Sequence, residues 1–106
     1  MADMKLNQLC ERAAEVADLL KLVANQQRLV LLCRLREGEA SVGELVALCG
    51  LAQSSVSQHL AKMREGGILD TRRDAQTIYY RLVSPHVDDL MEFMCDRFGE
   101  TSSETN

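Results

Sequence analysis

Leu6, Leu9, Ala13, Ala17 and Leu20 recur at the three- and four-residue steps of one helical face, with Cys10 on the same stripe. This spacing predicts a first helix from Asn7 to Val23. Asn25 is placed to cap a second helix, Gln26 to Arg36, which Gly38 ends. Its Leu29, Val30, Leu31, Leu32, Cys33 and Leu35 cover nearly every face, the pattern of a helix at the buried centre of a bundle. Ser41-Val42-Gly43-Glu44 has the spacing of a capping box and opens a short third helix, Val42 to Cys49. Gly50 then supplies the left-handed residue of a tight turn. A fourth helix follows over Gln53–Glu65, with Val56, Leu60 and Met63 facing inward and Gly66-Gly67 stopping it.

Beyond it the period changes. Ile78, Tyr80 and Leu82 alternate with Thr77, Tyr79 and Arg81, the repeat of a half-buried strand. With the run Ile68–Arg73 before Asp74-Ala75, the segment Gln76–Leu82 predicts a β-hairpin. Ser84-Pro85 opens a last helix whose stripe is Val87, Leu90, Met91, Met94 and Phe98. The expected fold is mainly α with a small β-hairpin wing. It is a winged helix-turn-helix, with four helices before the hairpin and a fifth after it. Residues 1–100 read as one domain, and 101–106 as a polar, disordered tail.

Composition agrees with a helical core. Only 4% of the 106 residues are aromatic and there is no Trp, so aliphatic side chains, Met and Cys must fill the interior. No apolar run reaches the ~20 residues of a membrane span. The N-terminal stretch carries Asp3, Lys5, Glu11 and Arg12 and lacks a signal-peptide core, so a cytoplasmic protein with reduced thiols is expected. Cys10, Cys33, Cys49 and Cys95 contain no C-x-x-C pair, which argues against a zinc ribbon or a disulfide framework. No phosphate-cradling Gly loop or catalytic Ser/His/Asp arrangement is present, so an enzyme is not expected.

A net charge of −4 argues against nucleic acid until its distribution is considered. Residues 51–82 carry a net +2 and residues 83–106 a net −5. The fourth helix presents Gln53, Ser54, Ser55, Ser57, Gln58, His59 and Lys62, with no acid in its first two turns. Serine is a mediocre helix former, so these positions give up helix propensity for neutral donors and acceptors. Such groups at a helix N-terminus suit base edges and phosphates in a major groove. On the wing, Arg72, Arg73 and Gln76 are candidates for backbone or minor-groove contact.

Four segments together resemble the ArsR/SmtB family of winged-helix repressors. They are Val23-Ala24-Asn25-Gln26-Gln27-Arg28-Leu29, Ser41-Val42-Gly43-Glu44-Leu45, Gln53-Ser54-Ser55-Val56-Ser57-Gln58-His59-Leu60 and Tyr79-Tyr80-Arg81-Leu82. One departure is Ala52, where the family often places a capping Ser; Ser54 or water is the substitute expected at that helix start. The resemblance implies a homodimer joined through the first and last helices, bound to an imperfect palindrome in double-stranded DNA and released by an inducer. The apolar stripes of the two terminal helices support such a dimer independently.

The family's metal sites do not carry over. A soft-metal site would need thiolates where Ser41 and Gly43 stand. A zinc site would fall on Ser84, His86, Arg97 and Glu100, with a cation among the ligands. No metal or other cofactor is therefore expected. Cys33 matches the reactive Cys of thiol-sensing members, whose partner position in the last helix matches Gly99. Cys95 lies one turn earlier, so pairing with Cys33 calls for a shifted or bent last helix, and Cys10 is a second candidate partner for Cys95. The resemblance thus implies thiol oxidation or persulfidation sensed through Cys33 and Cys95. Two alternatives remain open: a winged-helix protein–protein adaptor that binds no DNA, and a metal-responsive repressor with an unrecognised site.

Overall fold

The computed structural model describes residues 2–99; Glu100 and the tail 101–106 lie outside the described residues. The element order is α1 (Ala2–Val23), α2 (Gln26–Leu35), β1 (Ala40–Ser41), α3 (Val42–Cys49), α4 (Gln53–Glu65), β2 (Leu69–Asp74), β3 (Thr77–Leu82) and α5 (Pro85–Phe98). This is the winged helix-turn-helix, with two departures. The helix α1 starts five residues earlier than Asn7. The wing is also a three-stranded antiparallel sheet in the order β1-β3-β2, not a bare hairpin.

Local chemistry sets the helix boundaries. Asn25 Oδ1 accepts from the Gln27 and Arg28 amides, 3.0 and 3.1 Å away, and starts α2. At α3 the capping box closes in both directions: Ser41 Oγ accepts from Glu44 N (3.1 Å) and Glu44 Oε1 from Ser41 N (2.8 Å). Gly50 sits at φ 68°, the left-handed region that favours glycine, and turns the chain from α3 toward α4. Ser84 Oγ accepts from Val87 N at 3.2 Å, with Pro85 in the first turn of α5.

The core forms where α2, α3, α4 and the sheet meet α5. Leu31, Leu32, Leu45, Val56, Leu60, Met63, Ile68, Val87 and Met91 are buried. The helix α2 is not buried all round, as its sequence suggested: Val30 is 41% exposed. Among the described residues its apolar surplus is incompletely covered. On α1, of the side chains described, only Val23 is buried, Leu19 and Leu22 are half-buried, and Leu6, Leu9 and Leu20 face outward. Phe93 and Phe98 of α5 are exposed as well.

In the wing, Asp74 pairs with Thr77 across a turn that contains Ala75 at φ 58°, a conformation that costs a β-carbon-bearing residue some strain. The strand β1 pairs with β3 through Ala40↔Tyr80 and Ser41↔Tyr79. Ser41 therefore serves both the sheet and the cap of α3.

A candidate nucleic-acid interface and its thiol pair

Ala52 begins α4 with extended backbone and no side-chain oxygen to accept from the first turn. Its carbonyl takes the amides of Ser55 and Val56, at 3.1 and 3.2 Å. Neither Ser54 nor any other side chain replaces the missing cap among the described hydrogen bonds, so the helix start stays open to an anion. Of the expected contact residues, Gln53, Ser54, Gln58 and Lys62 are exposed, while Ser55, Ser57 and His59 are half-buried. These positions lie on one helix, all but Lys62 within its first seven residues, and its opposite face, Val56, Leu60 and Met63, is locked in the core.

His59 is held from behind. Arg28 Nε on α2 donates to His59 Nδ1 at 3.2 Å, and Arg28 Nη1 donates to the Leu22 carbonyl of α1 at 2.9 Å. Partial burial and the cations Arg28 and Lys62 push the imidazole pKa below its ordinary value, so neutral His59 is favoured. Sequence reasoning placed Arg28 only within a matching segment; nothing in the spacing marked it as a partner of a residue 31 positions away.

On the wing, Arg73 and Gln76 are exposed. Arg72 is exposed too, but its side chain is engaged within the chain. Its Nε donates to both Glu39 carboxylate oxygens at 3.0 Å, and its guanidinium lies 4.4 Å from the centroid of the Tyr79 ring. The ion pair raises the Arg72 pKa and holds Glu39 below the usual carboxylate range.

Cys33 of α2 and Cys95 of α5 form a disulfide with a Cα–Cα distance of 6.4 Å. The helix α5 ends at Phe98, and Gly99 is its C-cap, donating its N–H to the Cys95 carbonyl at 2.7 Å. The partner of Cys33 is thus one turn before Gly99, on a helix that runs without interruption from Pro85 to Phe98. Cys95 is bonded to Cys33 and so does not pair with Cys10, which is free and exposed, while Cys49 is half-buried with its thiol pKa pushed up by burial. The disulfide lines an apolar cavity of about 540 Å³ bordered by Leu29, Val30, Leu48, Met94 and Phe98.

Of the positions that the family resemblance gave to metal ligands, Gly43 has no side chain and His86 is exposed. Ser41 and Ser84 cap helices, and the Arg97 guanidinium lies 5.4 Å from the centroid of the Phe93 ring. Glu100 is outside the described residues. Among the described residues no three His, Cys, Asp or Glu side chains gather as a metal-binding group, and no helix is long and apolar enough to cross a membrane.

Comparison with known proteins places these features in context. Residues 25–71 match the model of a bacterial regulatory protein family, the arsR family. The transcriptional activator HlyU of Vibrio cholerae is 43% identical over 93 residues, which cover 88% of this chain and 86% of that one. The biofilm growth-associated repressor of Agrobacterium fabrum is 46% identical over 92 residues, 87% of this chain and 79% of its own. The crystal structure of the transcriptional repressor BigR from Xylella fastidiosa superposes with a TM-score of 0.81 at 42% identity, covering 87% of this chain and 94% of that one.

Proposed function

We propose, for a chain that belongs to the bacterial arsR family of regulatory proteins and is therefore a DNA-binding transcriptional regulator, that it is a cytoplasmic repressor released by thiol oxidation. It binds an imperfect palindrome as a homodimer joined through α1 and α5, with residues 1–100 as the DNA-binding and dimerisation unit. Gln53, Ser54, Ser55, Ser57, Gln58, His59 and Lys62 meet the major groove, and Arg72, Arg73 and Gln76 meet the backbone or the adjacent minor groove.

The observation that carries this reading is the start of α4. An open helix N-terminus bears exposed Gln53, Ser54 and Gln58 and no acidic side chain in its first turn. The dimer is supported by apolar side chains with no cover inside one chain: Leu6, Leu9 and Leu20 on α1, Phe93 and Phe98 on α5. A twofold pair sets two reading helices about one DNA turn apart.

Cys33 and Cys95 act as the sensor. Loss of two thiols to a disulfide, or to a sulfur-bridged link when the oxidant is a persulfide, ties α2 to α5. The first holds the body of the fold and the second the dimer seam. The experiment is operator binding with reduced and oxidised protein, beside Cys33→Ser and Cys95→Ser. Reduced protein and both variants should bind, with affinity falling steeply as salt rises. Oxidation should release the wild type alone. Both variants responding fully to oxidant would remove the sensor, and absence of any salt-sensitive shift would favour a protein-binding adaptor.

A further inference from the structure

The hydrogen bond between Arg28 and His59 joins the helix that carries Cys33 to the helix that bears the candidate base-reading residues. A guanidinium only donates, so the His59 Nδ1 that faces Arg28 Nε at 3.2 Å must be the unprotonated nitrogen of the ring. The neutral imidazole then carries its proton on Nε2. Arg28 is itself fixed, because its Nη1 donates to the Leu22 carbonyl at the end of α1.

We propose that Arg28 is a positioning residue for operator binding, which holds His59 in a single tautomer so that Nε2–H is a directed donor to an acceptor on DNA. The proposal rests on the reading that the start of α4 meets the operator. It makes His59 a neutral contact on a helix otherwise suited to phosphate. The charged groups acting on the ring are both cations, Arg28 from α2 and Lys62 from α4, while α1 contributes the Leu22 carbonyl that anchors Arg28. Partial burial and these two cations oppose proton uptake, so the contact works without a coupled protonation.

The test uses the full chain, reduced, with a duplex selected from a random pool by the wild-type protein. Long-range proton–nitrogen NMR at neutral pH should report Nε2–H for His59; an Nδ1–H ring or an imidazolium overturns the proposal. Wild-type affinity at fixed ionic strength should stay within about twofold between about pH 6 and pH 8. The Arg28→Gln protein should instead gain affinity toward acid by about fivefold or more, as an imidazole relieved of its neighbouring cation takes a proton beside phosphate. Equal pH profiles for the two proteins overturn the proposal. His59→Asn keeps an acceptor facing Arg28 but lacks the far donor; it should keep the thermal midpoint and weaken binding about tenfold. Gln58→Ala separates the two readings. If it weakens binding while His59→Asn does not, the Arg28–His59 proposal fails alone; if neither weakens binding, the α4 reading fails with it.

Discussion

The side chain of Leu22, near the end of α1, occupies the space into which a β-carbon at residue 66 would project; its Cδ2 would clash with that atom. Gly66, the C-cap of α4, is thus the gap that lets α1 lie close against the helix. Its φ of −82° is open to any residue, so packing rather than backbone strain demands the glycine. Gly66→Ala should destabilise the fold by about 1–2 kcal/mol, the lower range because a leucine end can swing aside. Calorimetry should show most of that cost vanish in a Leu22→Ala background.

Ala52 leaves α4 without a side-chain cap. Ala52→Ser restores an acceptor for the first-turn amides and should raise stability by about 1 kcal/mol in denaturant titrations. No gain would mean that water or a neighbouring group already satisfies those amides.

Glu44 closes the capping box of α3, and its bond from the Ser41 amide holds its carboxyl below the ordinary carboxylate range. A depressed folded pKa contributes stability that is whole above the unfolded value and is lost as pH falls through the folded one. Acid titration followed by circular dichroism should therefore show stability falling from about pH 4.5 downward. Glu44→Gln, which keeps the acceptor without the charge, should flatten that part of the profile.

Arg72 and Arg73 are neighbours with different freedom. Arg72 is bound to Glu39 and stacked on Tyr79, whereas Arg73 is exposed. Arg73→Ala should weaken binding evenly across DNA sequences and lower the salt slope by about one. Glu39→Gln, by releasing Arg72, should strengthen binding by about threefold at low salt. An unaltered slope in Arg73→Ala would take the wing tip out of the interface.

Much of this architecture is written in local signals. Ser41 and Glu44 at capping-box spacing, Gly50, and the Gly66-Gly67 stop set α3 and α4 at the boundaries found. The early start of α1 is not marked by its apolar stripe, which becomes legible only from Leu6. The strand β1 has two residues and cannot show an alternation; only its register against Tyr79 and Tyr80 makes it a strand. Arg28 with His59, and Arg72 with Glu39, join residues 31 and 33 positions apart, and such pairings arise from the packing of whole elements. Val30 was misleading for a related reason: an apolar face is covered by whatever lies against it, and the described residues leave Val30 41% exposed.

Ser41 belongs to two elements at once, strand partner of Tyr79 and cap of α3. That shared residue rivets the wing to the helix-turn-helix, so neither swings without the other. In the proposed dimer each half would then be one stiff jaw. The proposed thiol signal would open the grip by changing the span between the jaws, at the hinge where the two copies meet, rather than by bending either jaw.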